Sequence, residues 1–474
     1  MKRAAVFDLD RTLLSGGSGP VIAAALRRVG LGPDRSLPGG DAIFRFYEVV
    51  GETYPSMLLA RQAASLSRGW PVEEVGAAAE AAAKELDGLV LPYARAAIEE
   101  HREAGDRLVL ATTTPEHLVA PFAARLGFDT VVATRYGVSD GAYDGSIDGD
   151  FMWGRAKARG VRAWAEHEQV DLRSSSAYSD SYYDVPLLSA VGHPTAVNPD
   201  ARLAAIARLR EWPIRYFDAP EGVPKVAGLV EPQQVAMPLA MPELLPLARL
   251  RITGVEHLPD TGGAIIAFNH RSYFDSTAMA YLLSQHGRPA RFLGKKEVFD
   301  APLVGQIARW MGGIRVDRGT GSDEPLELAA EALRAGELVS MAPQGTIPRG
   351  PAFFETELRA RWGCARLAAM SGAPVIPVGL WGTEQVWPRS QRLPTVPLWW
   401  RRPEVLVTVG APVTGLTGDA DADTTRIMEA IVDLLPPEAR EPKEPTREEL
   451  LATFPPGYDG DPSAESDRRP GTDT

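Results

Sequence analysis

A single cysteine, Cys364, occurs in the 474 residues of this chain. No disulfide can form within it and no cysteine-rich zinc site exists, which fits a reducing compartment. Long apolar runs are missing too. A spanning helix needs about 20 apolar residues, and the most apolar stretch, 235–250, is broken by Pro238, Pro242, Glu243 and Pro246. The N-terminus shows no apolar signal core and no small-residue cleavage site, so secretion is not expected. Positive charge is in deficit: 50 Lys and Arg against 62 Asp and Glu leave a net charge of -12. A nucleic-acid binder usually shows the opposite footprint. These absences predict a cytoplasmic protein with no signal peptide or transmembrane helix. If its substrate is a lipid, it should sit peripherally on the membrane.

What is present falls into two α/β patterns, as expected of a chain too long for one core. Short apolar runs at 4–7, 107–111, 176–179, 195–198 and 214–217 alternate with helical patterns, in the manner of strands covered on both faces. Between the first two runs lies a helical stretch that includes the Ala-rich segment 75–86. The expectation is an α/β fold with an N-terminal doubly wound Rossmann-like sheet over 1–217 and a helical cap at about 16–100. Residues 218–245 carry five prolines and read as a linker. A second α/β domain is expected over 246–435, with strands at 264–269, 290–294, 313–316, 339–342, 375–380 and 405–409. From 436 to 474 the chain is rich in Pro, Glu, Asp, Gly and Ser, which predicts a disordered acidic tail.

The first apolar run ends in Asp8-Leu9-Asp10-Arg11-Thr12. Ligands of open α/β sheets bind at the carboxyl ends of strands, and two carboxylates that close together call for a cation. Mg²⁺ suits such a site, because it accepts a few carboxylates together with phosphate oxygens. Thr112 ends the next strand, with Thr113 and Thr114 adjacent. Lys157 lies on a predicted helix, and Asp180 and Asp184 follow the strand at 176–179. One Asp after a strand is usually a turn or helix cap. The ordered set, all at strand ends, points to phosphoryl transfer.

On these residues, 1–217 resembles the haloacid-dehalogenase-like phosphatases, in the subfamily that includes phosphoserine phosphatase. The resemblance implies Asp8 as nucleophile through an aspartyl-phosphate and Asp10 as the acid that later activates water. It also implies Thr112 and Lys157 as phosphate-binding groups, and Mg²⁺ held by Asp8, Asp10, Asp180 and Asp184.

The run at 264–269 ends in Asn269-His270-Arg271-Ser272-Tyr273-Phe274-Asp275. A strand-to-helix turn of this length can return the carboxylate to the imidazole, fixing its tautomer and raising its basicity. A histidine that merely caps the helix is the plain alternative. Downstream lie Arg318 after a strand, then Gln344-Gly345-Thr346 with Arg349 beyond, and an apolar run at 375–379.

Together these blocks, over 245–415, resemble the glycerolipid acyltransferases typified by 1-acylglycerol-3-phosphate acyltransferase. The resemblance implies that His270, oriented by Asp275, deprotonates a glycerol hydroxyl, which attacks the thioester of acyl-CoA or acyl carrier protein. Arg318, Gln344, Gly345, Thr346 and Arg349 fall on acceptor recognition. The family has Glu where this chain has Gln344, and the Arg that follows Thr in the family is replaced by Ile347 and Pro348. A phospholipid membrane surface, a lysophospholipid and an acyl donor are the expected partners. Trp399-Trp400-Arg401-Arg402 and the segment 235–250 are the candidate membrane contacts.

The sequence thus predicts a bifunctional phospholipid enzyme: acylation of lysophosphatidate to phosphatidate, plus Mg²⁺-dependent phosphomonoester hydrolysis. The alternative leaves one domain catalytic and the other a scaffold, sensor or lipid-binding module.

Overall fold

The computed structural model describes residues 2–31, 53–220, 222–226, 230–240, 247–317, 323–397 and 401–463. Arg318, Trp399 and Trp400 lie outside them. The chain divides into two compact units, Met1–Glu221 and Gly222–Thr474.

The first unit is built on β1 (Ala4–Phe7), β2 (Arg107–Pro115), β3 (Thr130–Ser139), β4 (Ala142–Asp148), β5 (Ser176–Ser179), β6 (His193–Val197) and β7 (Ile214–Arg215). Their order is β4-β3-β2-β1-β5-β6-β7. All neighbours are parallel except β3 and β4. Ala4, Ala5, Val6 and Phe7 are fully buried, so β1 carries no polar residue on either face. The chain winds outward from β1 in both directions, and the switch in direction opens a crevice at its carboxyl end. The β3–β4 hairpin was not expected. Asp140 and Gly141 both adopt positive φ, 51° and 77°, as a two-residue hairpin turn requires.

The helical insertion leaves after β1 and returns at an isolated bridge between Leu14 and Val90. Its described helices are Gly19–Arg28, Tyr54–Leu66 and Val72–Asp87. Small side chains on the last of these, Ala78, Ala79, Ala82 and Ala83, are buried where it packs against helices Gly19–Arg28 and Glu116–Arg125. The cap therefore ends near residue 90 rather than 100. Helix Pro92–Glu103 starts afresh at a proline in its first turn and serves the sheet: His101 on it bonds Tyr178 of β5.

The second unit carries β8 (Arg249–Thr253), β9 (Ala264–Phe268), β10 (Ala290–Lys295), β11 (Ile314–Val316), β12 (Leu338–Met341), β13 (Val375–Trp381) and β14 (Glu404–Val409). The order is β11-β10-β12-β9-β13-β14-β8, and only β13 and β14 are antiparallel. The central strand β9 is buried throughout.

Two expected segments differ. Part of the linker belongs to the second unit: helix Pro232–Ala236 is held there by Glu231, whose carboxylate pairs with Arg291 at 2.6 and 2.9 Å. Glu337 takes the other edge of the same guanidinium at 2.5 and 2.8 Å. Burial opposes this charge, but the two carboxylates outweigh it and hold the guanidinium firmly protonated. The tail is also partly ordered. Helix Arg447–Ala452 opens on a capping box of Thr446 and Glu449 and sinks Leu450 and Phe454. Composition suggested disorder there; two apolar anchors and a cap outweigh it. Residues 464–474 lie outside the described set.

Candidate active sites

Asp8 follows β1 at the switch point and is buried. Its Oδ1 accepts from Lys157 Nζ at 2.9 Å. The same ammonium, fully buried, donates to Asp184 Oδ2 at 2.7 Å, which also accepts from Ser179 Oγ at 2.8 Å. On the other side, Thr12 Oγ1 lies 3.2 Å from Asp8 Oδ2 and 3.4 Å from Asp180 Oδ1. Arg11 Nε pairs with Asp180 Oδ2 at 3.2 Å. Thus Asp8, Asp180, Asp184 and Lys157, separated by up to 176 positions in sequence, form one network. Arg11 belongs to it although nothing in the spacing marked it. Its φ is 61°, a left-handed backbone unusual for a residue with a side chain.

Asp10 is turned away from this network. Its carboxylate accepts from the backbone N–H of Ser18 and from Thr114 Oγ1. Burial raises its carboxyl above the ordinary range, against the lowering effect of these bonds and of Lys157. That suits a group that must carry a proton. The Asp10 side chain does not join the carboxylates of Asp8, Asp180 and Asp184 around Lys157 and Arg11. The reason is local: the left-handed Arg11 turns the chain and aims Asp10 at the start of the insertion. The three threonines also part company. Thr112 is buried and accepts from Thr114 N, Thr113 bonds Met152 O, and Thr114 reaches Asp10.

A hard divalent cation fits these donors. They are all oxygens at the ends of β1 and β5, and Asp184 Oδ1 is buried without a hydrogen-bond partner. Asp8 and Asp180 would hold Mg²⁺, with Asp184 behind them. Among the described residues no three carboxylate, imidazole or thiol groups form a ready-made cluster, and the Arg11 guanidinium already stands on Asp180.

In the second unit His270 follows β9. Its Nδ1 lies 2.6 Å from Asp275 Oδ2. That oxygen also accepts the backbone N–H groups of Arg271 at 2.7 Å and Ser272 at 2.8 Å. Asp275 is fully buried, and three donors to one oxygen fix its orientation. With Nδ1–H facing a carboxylate, Nε2 keeps its lone pair.

Asn269, Arg271 and Ser272 of this turn are tied down as well. Asn269 exchanges two bonds with the backbone of Leu380, at 2.9 and 2.7 Å. Arg271 donates from one guanidinium edge, Nε and Nη2, to both carboxylate oxygens of Glu384 at 3.0 Å and stacks on Phe353 and Trp381. Ser272 Oγ donates to Trp387 O at 2.6 Å. Glu384 had no sequence signal. The helix-cap alternative for His270 is replaced: Asp275 accepts the turn's N–H groups, and the imidazole is free to face outward.

Gln344 differs from its expected place. Its Oε1 accepts the backbone N–H of His270 at 2.7 Å, and its side chain is buried. It supports the His270 turn, which explains how Gln can stand at this position: His270 N–H needs an acceptor oxygen, and an amide supplies one.

His270 lines a cavity of about 1440 Å³ together with Phe292, Met311, Leu326, Met341 and Met428. Gly345, at φ 69°, lines it too, and Thr346 accepts from Lys295 Nζ at 3.1 Å. Among the described residues Arg349 is not part of the lining. Cys364 is buried, and burial pushes its thiol up to about 12, so it is a packing residue rather than a nucleophile.

Residues 5–189 match the haloacid dehalogenase-like hydrolase family and residues 249–381 the acyltransferase family. The inhibition of morphological differentiation protein of Streptomyces azureus is 36% identical over 223 residues, which is 46% of this chain and 80% of that protein. Phosphoserine phosphatase SerB1 of Mycobacterium tuberculosis is 34% identical over 251 residues, 52% of this chain and 80% of that one. Among solved structures, the 1-acyl-sn-glycerophosphate acyltransferase PlsC of Thermotoga maritima is similar at 20% identity and a TM-score of 0.32, covering 42% of this chain and 77% of that one. The chain therefore belongs to the haloacid dehalogenase-like hydrolases through its first unit, a phosphatase domain, and carries an acyltransferase-family domain in its second.

Proposed function

We propose that both domains are catalytic and that the second acylates a lysophospholipid, with lysophosphatidate the simplest acceptor. The observation that carries this reading is the His270–Asp275 pair opening on a large, mainly apolar cavity. His270 Nε2 takes the proton of a glycerol hydroxyl. The resulting oxygen attacks the carbonyl carbon of an acyl thioester, from acyl-CoA or acyl carrier protein. The carbon–sulfur bond breaks, and the imidazolium returns its proton to the departing thiolate. Asp275 stabilises the imidazolium without itself taking the proton. A cavity of this size exceeds what a small polar metabolite needs and suits an acyl chain.

In the first unit, Asp8 attacks a phosphomonoester and Asp10 protonates the leaving oxygen. Asp10 then takes a proton from the water that hydrolyses the aspartyl-phosphate. Lys157 holds Asp8 in place. Bound Mg²⁺ would offset the negative charge of the phosphoryl oxygens.

A membrane surface remains the proposed partner. No described helix is long and apolar enough to cross a membrane. The segment around helix Val304–Trp310 exposes Leu303, Val304, Ile307 and Trp310, and Val304 also lines the cavity. That provides an apolar surface next to the place an acyl chain would enter.

The deciding experiment is a panel of lysophosphatidate, monoacylglycerol and other lysophospholipids offered to the intact protein with labelled acyl-CoA or acyl carrier protein. His270-dependent transfer to a lysophospholipid is expected. No transfer to any acceptor from either donor would end the acyltransferase reading.

A further inference from the structure

The loop after β12, residues 343–353, meets the His270 turn at both ends. At one end Gln344 Oε1 accepts the backbone N–H of His270 at 2.7 Å. At the other, the Arg271 guanidinium packs over the buried Phe353 ring, 4.4 Å from its centroid. The span between has no strand partner among the described residues, and its one regular element is the single turn Gly350–Phe353. A side chain supported by such a loop is only as well placed as the middle of the loop.

That middle is held from the far end of the chain. Thr453 Oγ1 accepts the backbone N–H of Gly350 at 2.8 Å and donates to Leu450 O at 2.7 Å, so backbone groups fix both roles of the hydroxyl. Thr453 and Gly350 are both buried. Next to this bond, Ala452 O accepts the N–H of Ser390 at 3.3 Å, and Arg389 Nη1 donates to Ile347 O of the loop at 2.7 Å. Leu450 and Phe454 are sunk on either side of Thr453, and the Phe454 ring stacks on Tyr458 at 4.1 Å. The segment therefore carries its own apolar anchors, and its polar contact goes to the loop.

We infer that residues 446–458 are a strap that positions the His270 turn, with Thr453 as its positioning residue. The proposal rests on the acyltransferase reading for the reaction it serves. The strap lies outside 249–381, the residues that match the acyltransferase family. None of its residues lines the cavity that His270 opens on. Its influence runs from Thr453 to Gly350, along the loop, and out through Gln344 to His270 and through Phe353 to Arg271. Loosening it should change how the base is aimed and leave the substrate's walls as they are. That is a loss in kcat and not in KM.

The test uses the full chain. Thr453→Val keeps the shape of the side chain and strands the buried Gly350 N–H; Thr453→Ala serves if the Val variant does not fold. Acyl transfer should fall about five- to tenfold in kcat, with KM for donor and acceptor within about twofold and phosphomonoester hydrolysis at the parental rate. Thr453→Ser, which keeps the hydroxyl, should recover most of the loss. Leu451→Ala, on the exposed side of the same helix, should behave as the parent does. Hydrogen–deuterium exchange read by mass spectrometry needs no turnover. Peptides covering 344–353 and His270 should exchange faster in Thr453→Val, and those of β10 should not. Parental kcat, a loss confined to KM, or unchanged exchange at His270 in the folded variant overturns the strap. The acyltransferase reading fails separately: a parent protein that transfers no acyl group ends it, and the exchange at His270 still judges the strap.

Discussion

In the first unit the reactive carboxylate is ringed by side-chain charge. Lys157 bridges Asp8 and Asp184, and Arg11 stands on Asp180. In the second unit the His270 imidazole rests on one carboxylate, which backbone N–H groups hold in turn. Asp275 gathers the N–H groups of Arg271 and Ser272, and Gln344 takes that of His270. The first arrangement stabilises buried ions by pairing them, so each member matters to all the others. The second fixes one imidazole by geometry beside a large, mainly apolar cavity.

The largest test of that contrast separates the two activities. Asp8→Asn should lower phosphomonoester hydrolysis by about 10³-fold or more and leave acyl transfer at the parental rate. His270→Ala should lower acyl transfer by about 10²- to 10⁴-fold and spare hydrolysis. Two single-substrate assays on each purified variant decide it, and equal loss of both activities in either variant would break the comparison.

A stability test comes next. Arg291→Ala strands Glu231 and Glu337 in a buried setting, at a cost of about 3–5 kcal/mol. Denaturant unfolding should show the acyltransferase unit melting early and the phosphatase unit unmoved.

Smaller is the effect at Gln344. Replacement by Leu removes the acceptor for His270 N–H, and an orphaned buried donor costs about 1–3 kcal/mol. Acyl transfer should fall about tenfold in kcat, whereas Gln344→Glu, which keeps an oxygen there, should retain most of it. A Leu variant with parental kcat would remove Gln344 from the support of the turn.

The smallest effect concerns Arg11. Glycine accepts a φ of 61° without strain and takes a positive charge off Asp180. Arg11→Gly should bind Mg²⁺ about three- to tenfold more tightly by calorimetry; weaker binding would mean that Arg11 helps assemble the cation site.

The sequence made the first site more legible than the second, for a physical reason. A network of side-chain charges announces itself by residue type, so Asp8, Asp180, Asp184 and Lys157 could be named from the ends of apolar runs. Asp10 was named from the same run, but the direction of its side chain depends on the left-handed Arg11, a backbone state that residue identity does not reveal. In the second site the His270–Asp275 spacing was readable, but Glu384 and the supporting role of Gln344 depend on contacts 113 and 74 positions away. Strands buried on both faces, such as β1 and β9, stood out as unbroken apolar runs. The edge strand β8, Arg-Leu-Arg-Ile-Thr, alternates polar and apolar residues and did not. The β3–β4 hairpin was missed although Asp140-Gly141 marks its turn.

The Leu14–Val90 bridge makes the insertion a detour whose exit and return lie side by side. Closing such a detour costs only about 0.6 kcal/mol for each doubling of its length. The sheet therefore tolerates changes in the length of the detour. A descendant of this chain could lengthen, shorten or rewrite those helices and inherit the same carboxylates in the same places. The length of the insertion can drift while the carboxyl end of β1 is kept.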